Sequence, residues 1–74
     1  MNRDELGIVL DRIVSRIKFF RLKKNYKQEY MAARMGCSQN SYSKIEVGHT
    51  ELTVKSLFKI ASILDVPVGE FLME

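Results

Sequence analysis

The sequence predicts an all-α fold of five short helices. Over residues 3–24 the apolar side chains recur at steps of three and four, the period of an amphipathic helix. In the middle of the chain, Gly36 suits the left-handed end of one helix, and Ser38 suits the N-cap of the next. Further along, Thr53 and Pro67 stand where a fourth and a fifth helix would begin. These signals together predict five helices and no strands.

The first helix should run from Arg3 to Lys24. Asn2 is a candidate N-cap, and the acidic residues of the first turn suit the positive end of the helix dipole. Asn25 can supply the left-handed residue that stops the helix. The apolar residues that define the period are Leu6, Val9, Leu10, Ile13, Val14, Ile17, Phe20 and Leu22.

Residues 28–48 should form two helices joined by a tight turn at Gly36. The second helix is expected from Lys27 or Gln28 to Met35, and the third from Gln39 to about Val47, where Gly48 ends it. Both helices should turn their apolar side chains toward a common core. The residues expected to be buried there are Met31, Met35, Cys37, Tyr42 and Ile45, with Tyr26 between the first two helices.

The fourth helix should span Val54 to Leu64 behind an N-cap at Thr53. The fifth should span Val68 to Met73, because a proline such as Pro67 suits the start of a helix. The residues expected to face inward from these two helices are Val54, Leu57, Phe58, Ile60, Ala61, Leu64, Phe71 and Leu72.

Length and composition place the chain among small single-domain proteins. Its 74 residues are close to the lower size limit for folding around one core, so residues 1–74 are expected to form one domain. Cys37 is the only cysteine and cannot form an internal disulfide. No apolar run is long enough to span a membrane, and the N-terminal segment does not resemble a signal peptide. These features fit a cytoplasmic protein without a membrane partner.

The net charge of +3 is distributed unevenly along the chain. Residues 1–24 carry seven Lys or Arg against three acidic residues, whereas residues 50–74 carry two Lys against four acidic residues. A basic end suits docking onto a polyanion such as nucleic acid. A solvated helix face with a chance gradient would give the same numbers, so charge alone does not decide the function.

An enzymatic function is not expected. The chain has one His and one Cys, and it shows no phosphate loop, zinc motif or Ser–His–acid combination. His49 has no second His or paired Cys near it in the sequence, so no metal is expected there. No cofactor is expected either.

The segment 28–48 resembles the helix-turn-helix of the phage repressor and Cro-type family of DNA-binding regulators. The matching residues are Gln28, Ala32, Gly36, the apolar positions given above, and the run Ser43-Lys44-Ile45-Glu46-Val47-Gly48, which is similar to that family's S-x-x-E-x-G ending. The resemblance covers roughly residues 13–73 and implies a compact, lambda-repressor-like five-helix domain. Because the first helix of that family usually begins later, residues 1–12 are interpreted as an extension of this helix.

The resemblance implies that the outward face of the third helix reads bases in the major groove. Gln and Asn carry the donor and acceptor that adenine matches, and Lys can donate to guanine. The expected base-reading residues are Gln39, Asn40, Ser43, Lys44 and Val47. The expected phosphate contacts are Gln28, Ser38, Ser41, His49, Lys23, Thr53 and Lys55. A polar exposed face without a ligand is the alternative interpretation.

The resemblance also implies an ion pair between Arg21 and Glu46 that orients the third helix. It further implies a homodimer on a near-palindromic operator, with the two third helices in major grooves about one turn apart. The candidate dimer residues are Leu52, Ile63, Val66, Val68, Phe71, Met73, Leu6 and Leu10. For Leu6, Val9 and Leu10, packing on the last helix is the alternative.

The function expected from these features is a sequence-specific regulator of transcription that binds double-stranded DNA. The alternative is a protein-interaction module, such as an antitoxin, that holds a partner protein with the same fold. Apolar residues in the extension and near the C-terminus motivate this alternative. The resemblance leaves three roles open: phage repressor, restriction-modification controller and antitoxin. The run Thr53–Leu57 is similar to the controllers over a short stretch only.

Overall fold

Five α-helices and no strands make up the computed structural model, which describes residues 1–74. The helices are α1 (Arg3–Lys23), α2 (Gln28–Met35), α3 (Gln39–Glu46), α4 (Val54–Leu64) and α5 (Gly69–Leu72). The predicted all-α fold is confirmed, and each helix begins and ends within about one residue of its predicted bounds. None of these helices combines the length and apolar composition that crossing a membrane would require.

Three polar side chains start helices as predicted. The side-chain oxygens of Asn2, Ser38 and Thr53 accept hydrogen bonds from the backbone N–H three residues further on, at 2.8, 3.1 and 3.0 Å. Each bond satisfies a donor that the first turn of a helix leaves without an intrahelical partner. The starts of α1, α3 and α4 are therefore fixed by local chemistry.

Left-handed residues end or follow four of the helices. Gly36 and Gly48 both have φ of 75°, and they follow α2 and α3. The same backbone region is occupied by Asn25 at 61° and Asp65 at 56°. Asn and Asp tolerate this region better than other residues with a Cβ atom. The chain thus reverses direction at residues whose chemistry permits it.

One hydrophobic core holds the helices together. α1 packs against α3, α4 and α5, whereas α2 packs against α3 and α4. The buried apolar residues are Ile13, Ile17, Met31, Ala32, Tyr42, Ile45, Leu57, Ile60, Ala61, Leu64 and Phe71. Because every helix contributes to this cluster, no helix can be removed without opening the core.

Three residues predicted to face inward are exposed instead, namely Val54, Phe58 and Leu72. The predicted apolar arc of α4 was too wide for the surface that α1 and α2 present to it. Only the narrower stripe formed by Leu57, Ile60, Ala61 and Leu64 is buried. The prediction that Tyr26 is buried was also wrong in degree, since its ring is half-buried and lies 4.4 Å from that of Tyr30.

Arg16 anchors the last helix to the first. Its Nη1 atom donates to the backbone carbonyls of Phe71, at 3.3 Å, and of Met73. Carbonyls at the C-terminal end of a helix have no intrahelical donor, so a guanidinium there satisfies them and complements the helix dipole. α5 has only four residues, and this contact offsets its shortness.

Replacing Ile17 by Ala tests the role of α1 in the core. Ile17 is fully buried, so the cavity left by this substitution should lower the free energy of unfolding by about 3 kcal/mol. The measurement is urea denaturation followed by circular dichroism. Phe58→Ala is the control, and because this ring is exposed it should change stability by about 0.5 kcal/mol or less. A loss as large for Phe58→Ala as for Ile17→Ala would contradict the assignment of the core.

Candidate nucleic-acid interface

α3 presents one face that no other helix covers. It packs only on α1 and α2, and its buried side chains are Tyr42, Ile45 and Glu46. The predicted base-reading residues occupy the other side. Gln39, Asn40, Lys44 and Val47 are exposed, and Ser43 is half-buried. Tyr42 and Ile45 face inward as predicted, so α3 has an apolar side held by the domain and a mainly polar side turned to solvent.

The predicted pair of Arg21 and Glu46 is present and buried. Arg21 Nε lies 2.5 Å from Glu46 Oε2, and Arg21 Nη2 lies 3.0 Å from Glu46 Oε1. This is a bidentate arrangement, in which a planar guanidinium meets both oxygens of a carboxylate. A third donor, Arg21 Nη1, reaches the carbonyl of Tyr26 at 2.8 Å. Arg21 therefore connects α1 to the last residue of α3 and to the link before α2.

Gln28 joins this pair from α2, a contact that the sequence did not predict. Its Nε2 donates to Glu46 Oε1 at 3.2 Å, and its side chain is half-buried. Gln28 was expected to contact a phosphate, and an amide nitrogen has two hydrogens, so one donor remains for another acceptor. No local signal links two residues this far apart in the chain, which is why the contact was missed.

The environment of Glu46 keeps its carboxylate ionised. Burial by itself would raise the pKa of Glu46, but contacts with Arg21, the Tyr42 hydroxyl and Gln28, together with the charge of Arg21, lower it below its usual value of 4.5. The hydrogen bond to Glu46 is the main cause of a raised pKa for Arg21. The two charges therefore stabilise each other over the whole neutral range.

Tyr42 completes the buried polar cluster. Burial is the main cause of a raised pKa for its hydroxyl, and the nearby Glu46 carboxylate adds to this effect. The hydroxyl oxygen makes no hydrogen bond of good geometry, although it lies against the ion pair. A buried hydroxyl without a partner destabilises a fold, so this position combines apolar packing of the ring with a polar contact that is incompletely satisfied.

Apart from Gln28, the residues expected to contact phosphate fall into two groups. Lys23, His49 and Lys55 are exposed and have no hydrogen bond to another side chain. The second group is Ser38, Ser41 and Thr53, whose hydroxyls already form hydrogen bonds in the first turns of α3 and α4. Ser38 Oγ lies 2.9 Å from Ser41 Oγ, and Thr53 Oγ1 lies 3.0 Å from the Ser56 hydroxyl. The start of α2 differs from these, because its N-cap residue has no side-chain cap and leaves backbone N–H groups open.

One of the candidate dimer residues lies in the wrong place. Phe71 is fully buried and its ring packs edge-on against Phe20, with the centroids 5.5 Å apart. It is a core residue and cannot form a subunit contact without unfolding α5. Of the others, Met73, Leu6 and Leu10 are exposed. The half-buried members are Leu52, Ile63, Val66 and Val68, which also pack against the core.

The alternative for Leu6, Val9 and Leu10 was that they pack on the last helix. The structure shows instead that this part of α1 does not reach α5. α5 meets α1 near Arg16, about 15 Å along the helix from Leu6. Leu6 and Leu10 instead line a groove of about 620 Å³ together with the loop 48–52. The groove lies beside the end of α3, since the Asp11 carboxylate approaches Gly48.

A family model described as helix-turn-helix matches residues 17–71, which is most of the chain. The chain belongs to the helix-turn-helix family of the phage repressor and Cro type. Proteins of this family are regulators rather than enzymes. The match includes α2, the turn at Gly36, and α3.

One relative is named as an uncharacterised HTH-type transcriptional regulator, YonR, derived from prophage SPbeta in Bacillus subtilis strain 168. The two sequences are 37% identical over 59 residues, which cover 80% of this chain and 54% of the relative. The chain thus spans about half the length of the curated relative it matches. No solved structure matches the chain.

Replacing Glu46 by Gln tests the buried pair through its pH dependence. At pH 7 the variant leaves the Arg21 charge buried without its partner, so the free energy of unfolding should fall by about 3 kcal/mol. The lowered pKa of Glu46 means that its stabilising effect is complete above about pH 4.5 and is lost as the pH falls below that value.

The measurement is urea denaturation of wild type and variant at pH 7 and at about pH 3. The difference between the two proteins should shrink at the lower pH, because a protonated glutamate resembles glutamine. Glu46 is the only carboxylate by which the two proteins differ, so subtracting their free energies of unfolding at each pH isolates its contribution. An unchanged difference between the two pH values would show that the ion pair is not what stabilises this region.

Proposed function

We propose that this protein is a sequence-specific DNA-binding regulator of transcription that places α3 in the major groove. The observation that carries the proposal is the polar face of α3, which no other helix covers. On its opposite side, α3 packs against α1 and α2 and is bonded to both through Glu46. Membership of a helix-turn-helix family and the name of one relative as a transcriptional regulator support the proposal.

The side chains on this face suit base recognition. Gln39 and Asn40 stand in the first turn of α3, and the N-terminal residues of a recognition helix come nearest to the bases. Their amides can bond to adenine in pairs, and Lys44, one turn later, can donate to guanine. Ser43 and Val47 flank this row and would contact a base edge or a thymine methyl group. All five are proposed base-reading residues.

The proposed phosphate contacts surround this face. The open N–H groups at the start of α2 favour an anion, and Gln28 stands there with a donor to spare. Because its other bond goes to Glu46, a phosphate held by Gln28 would be linked to the orientation of α3. The remaining proposed contacts are Ser38, Ser41, His49, Lys23, Thr53 and Lys55.

A homodimer on a near-palindromic operator is part of the proposal. One module offers a single short helix to the bases, which gives few specific contacts, and doubling the module adds the free energies of two half-sites. Two copies would place their α3 helices about 34 Å apart, one turn of the duplex. The proposed subunit contacts are Leu52, Ile63, Val66, Val68, Met73, Leu6 and Leu10, with Phe71 removed.

Replacing Asn40 by Ala should relax base preference at one position of the operator. The operator is first obtained by selecting bound sequences from a random duplex pool. The variant should then bind the selected site about tenfold more weakly than wild type does. The loss should be smaller on a duplex in which the base contacted by Asn40 is changed. Mobility shift measures the affinity of both proteins for both duplexes. An equal loss on both duplexes would contradict base reading by Asn40.

Replacing Lys55 by Ala should weaken binding evenly across sequences. A phosphate contact carries no sequence information, and its loss should reduce the slope of log affinity against log salt by about one. Lys59→Ala is the matched control, since Lys59 is also exposed on α4 but is not among the proposed contacts. Equal effects of the two variants would argue against a specific role for Lys55.

The salt dependence of binding separates this function from a protein-interaction module. Exposed apolar residues on the extension, such as Ile8 and Leu10, are the observation that favours the second function. A DNA-binding regulator should bind duplex DNA at low salt and lose affinity log-linearly as salt rises. A chain that serves only to hold a protein partner should show no binding to duplex DNA at low salt.

A further inference from the structure

The outer face of α1 carries apolar side chains that are more than half exposed. Ile8 is 65% exposed, and Phe19 and Leu22 are each 57% exposed. The core lies on the opposite side of the helix, where Ile13 and Ile17 are buried. Neither the stability of the domain nor the proposed DNA contacts require apolar residues on this outer face.

These residues belong to a regular stripe. Ile8, Asp11, Ser15, Lys18 and Leu22 follow one another at steps of three, four, three and four residues, and all five are exposed. This alternation gives a period of 3.5 residues, the spacing at which two long helices keep the same faces in contact. Phe19 flanks the stripe. α1 is long enough for such a contact, with 21 residues and a length of about 31 Å.

The stripe is complementary to itself when a second copy is laid against it in the opposite direction. A two-fold axis near Ser15 sets Ile8 of one copy opposite Leu22 of the other. It also brings Asp11 within one residue step, about 1.5 Å along the axis, of the level of Lys18, and each of these pairs occurs twice. The two Ser15 side chains meet at the axis, where small residues let the helices approach closely. A parallel arrangement would instead set Asp11 opposite Asp11 and Lys18 opposite Lys18.

We propose that a second copy of this chain packs antiparallel on the outer face of α1, through Ile8, Asp11, Ser15, Lys18 and Leu22. The charge pattern identifies the occupant, because each end of the stripe matches the other end of an identical stripe. Neither Asp11 nor Lys18 has an ion-pair partner within the chain, and both are exposed. The Asp11 carboxylate lies toward Gly48 at the edge of the groove, so it would turn outward to meet the second copy.

This contact uses a different face of α1 from the proposed subunit contacts Leu6 and Leu10, and its Asp11 end lies beside Gly48 at the end of α3. It leaves Gln39, Asn40 and Lys44 free. The stripe covers about 22 Å of each helix. The area buried between two copies would therefore be at the small end of the range for specific complexes. We therefore expect weak association in solution and stronger association where chains are held close together, as on neighbouring DNA sites. The contact goes beyond the proposed function and does not depend on DNA binding.

Charge reversal in two separate chains tests the contact. Asp11→Lys places like positive charges opposite each other, and Lys18→Asp places like negative charges opposite each other. Sedimentation velocity of the full chain without DNA, over a range of concentrations, should show that wild type self-associates. Each variant should raise the dissociation constant of this self-association step about tenfold or more. An equimolar mixture of the two variants should restore the dissociation constant of wild type. In the mixed pair, the lysine introduced at position 11 faces the aspartate introduced at position 18, and the native pair of Asp11 and Lys18 is kept.

The control exchanges charges elsewhere on the surface. Glu29→Lys and Lys59→Asp change net charge by the same amounts on α2 and α4, and neither should alter the step. Circular dichroism checks that all four variants keep their helices. Absence of self-association in wild type, normal association of either single variant of α1, or no recovery in the mixture would each overturn the proposal. Mobility shift with one duplex site, run on the same variants, reports DNA binding separately.

Discussion

The position of α3 depends on one buried carboxylate. Glu46 accepts two hydrogen bonds from Arg21 of α1 and one from Gln28 of α2. α3 has eight residues, too few for an isolated helix to be stable in water, so its contacts with neighbouring helices decide where it lies. Tyr42 and Ile45 hold its apolar side, and the Glu46 contacts fix its end. The exposed face of α3 therefore has one direction relative to the rest of the domain.

Local chemistry is the reason that the helix bounds could be predicted from the sequence. The caps at Ser38 and Thr53, and the left-handed residues at Gly36 and Asp65, act within three or four residues of the place where they stand. Such signals need no knowledge of the tertiary structure. The exposed face of α3 could be predicted for a related reason, because the period of a helix assigns each residue to a side once two buried residues are known.

Contacts between distant residues are the part that the sequence did not reveal. Gln28 reaches Glu46 across the turn, and no pattern marks that bond in advance. The exposure of Phe58 was missed because periodicity gives the direction of an apolar arc but not how much of it the neighbouring helices cover. Phe71 faces inward as predicted, but its second assignment as a candidate subunit contact was wrong for the converse reason. An apolar residue near the C-terminus looks available for a partner until the fold shows that α1 has already buried it.

α1 differs from the other helices in having more surface than the core uses. It packs on α3, α4 and α5, yet the residues that do so lie on one side and mostly in its second half. The family model begins at residue 17, so residues 3–16 of α1 lie outside the matched region. A polar outer face would serve the fold equally well, because exposed apolar residues add nothing to a domain that does not bury them. The exposed apolar side chains of Ile8 and Leu22 on α1 therefore call for an explanation outside the single chain, as the uncovered polar face of α3 does.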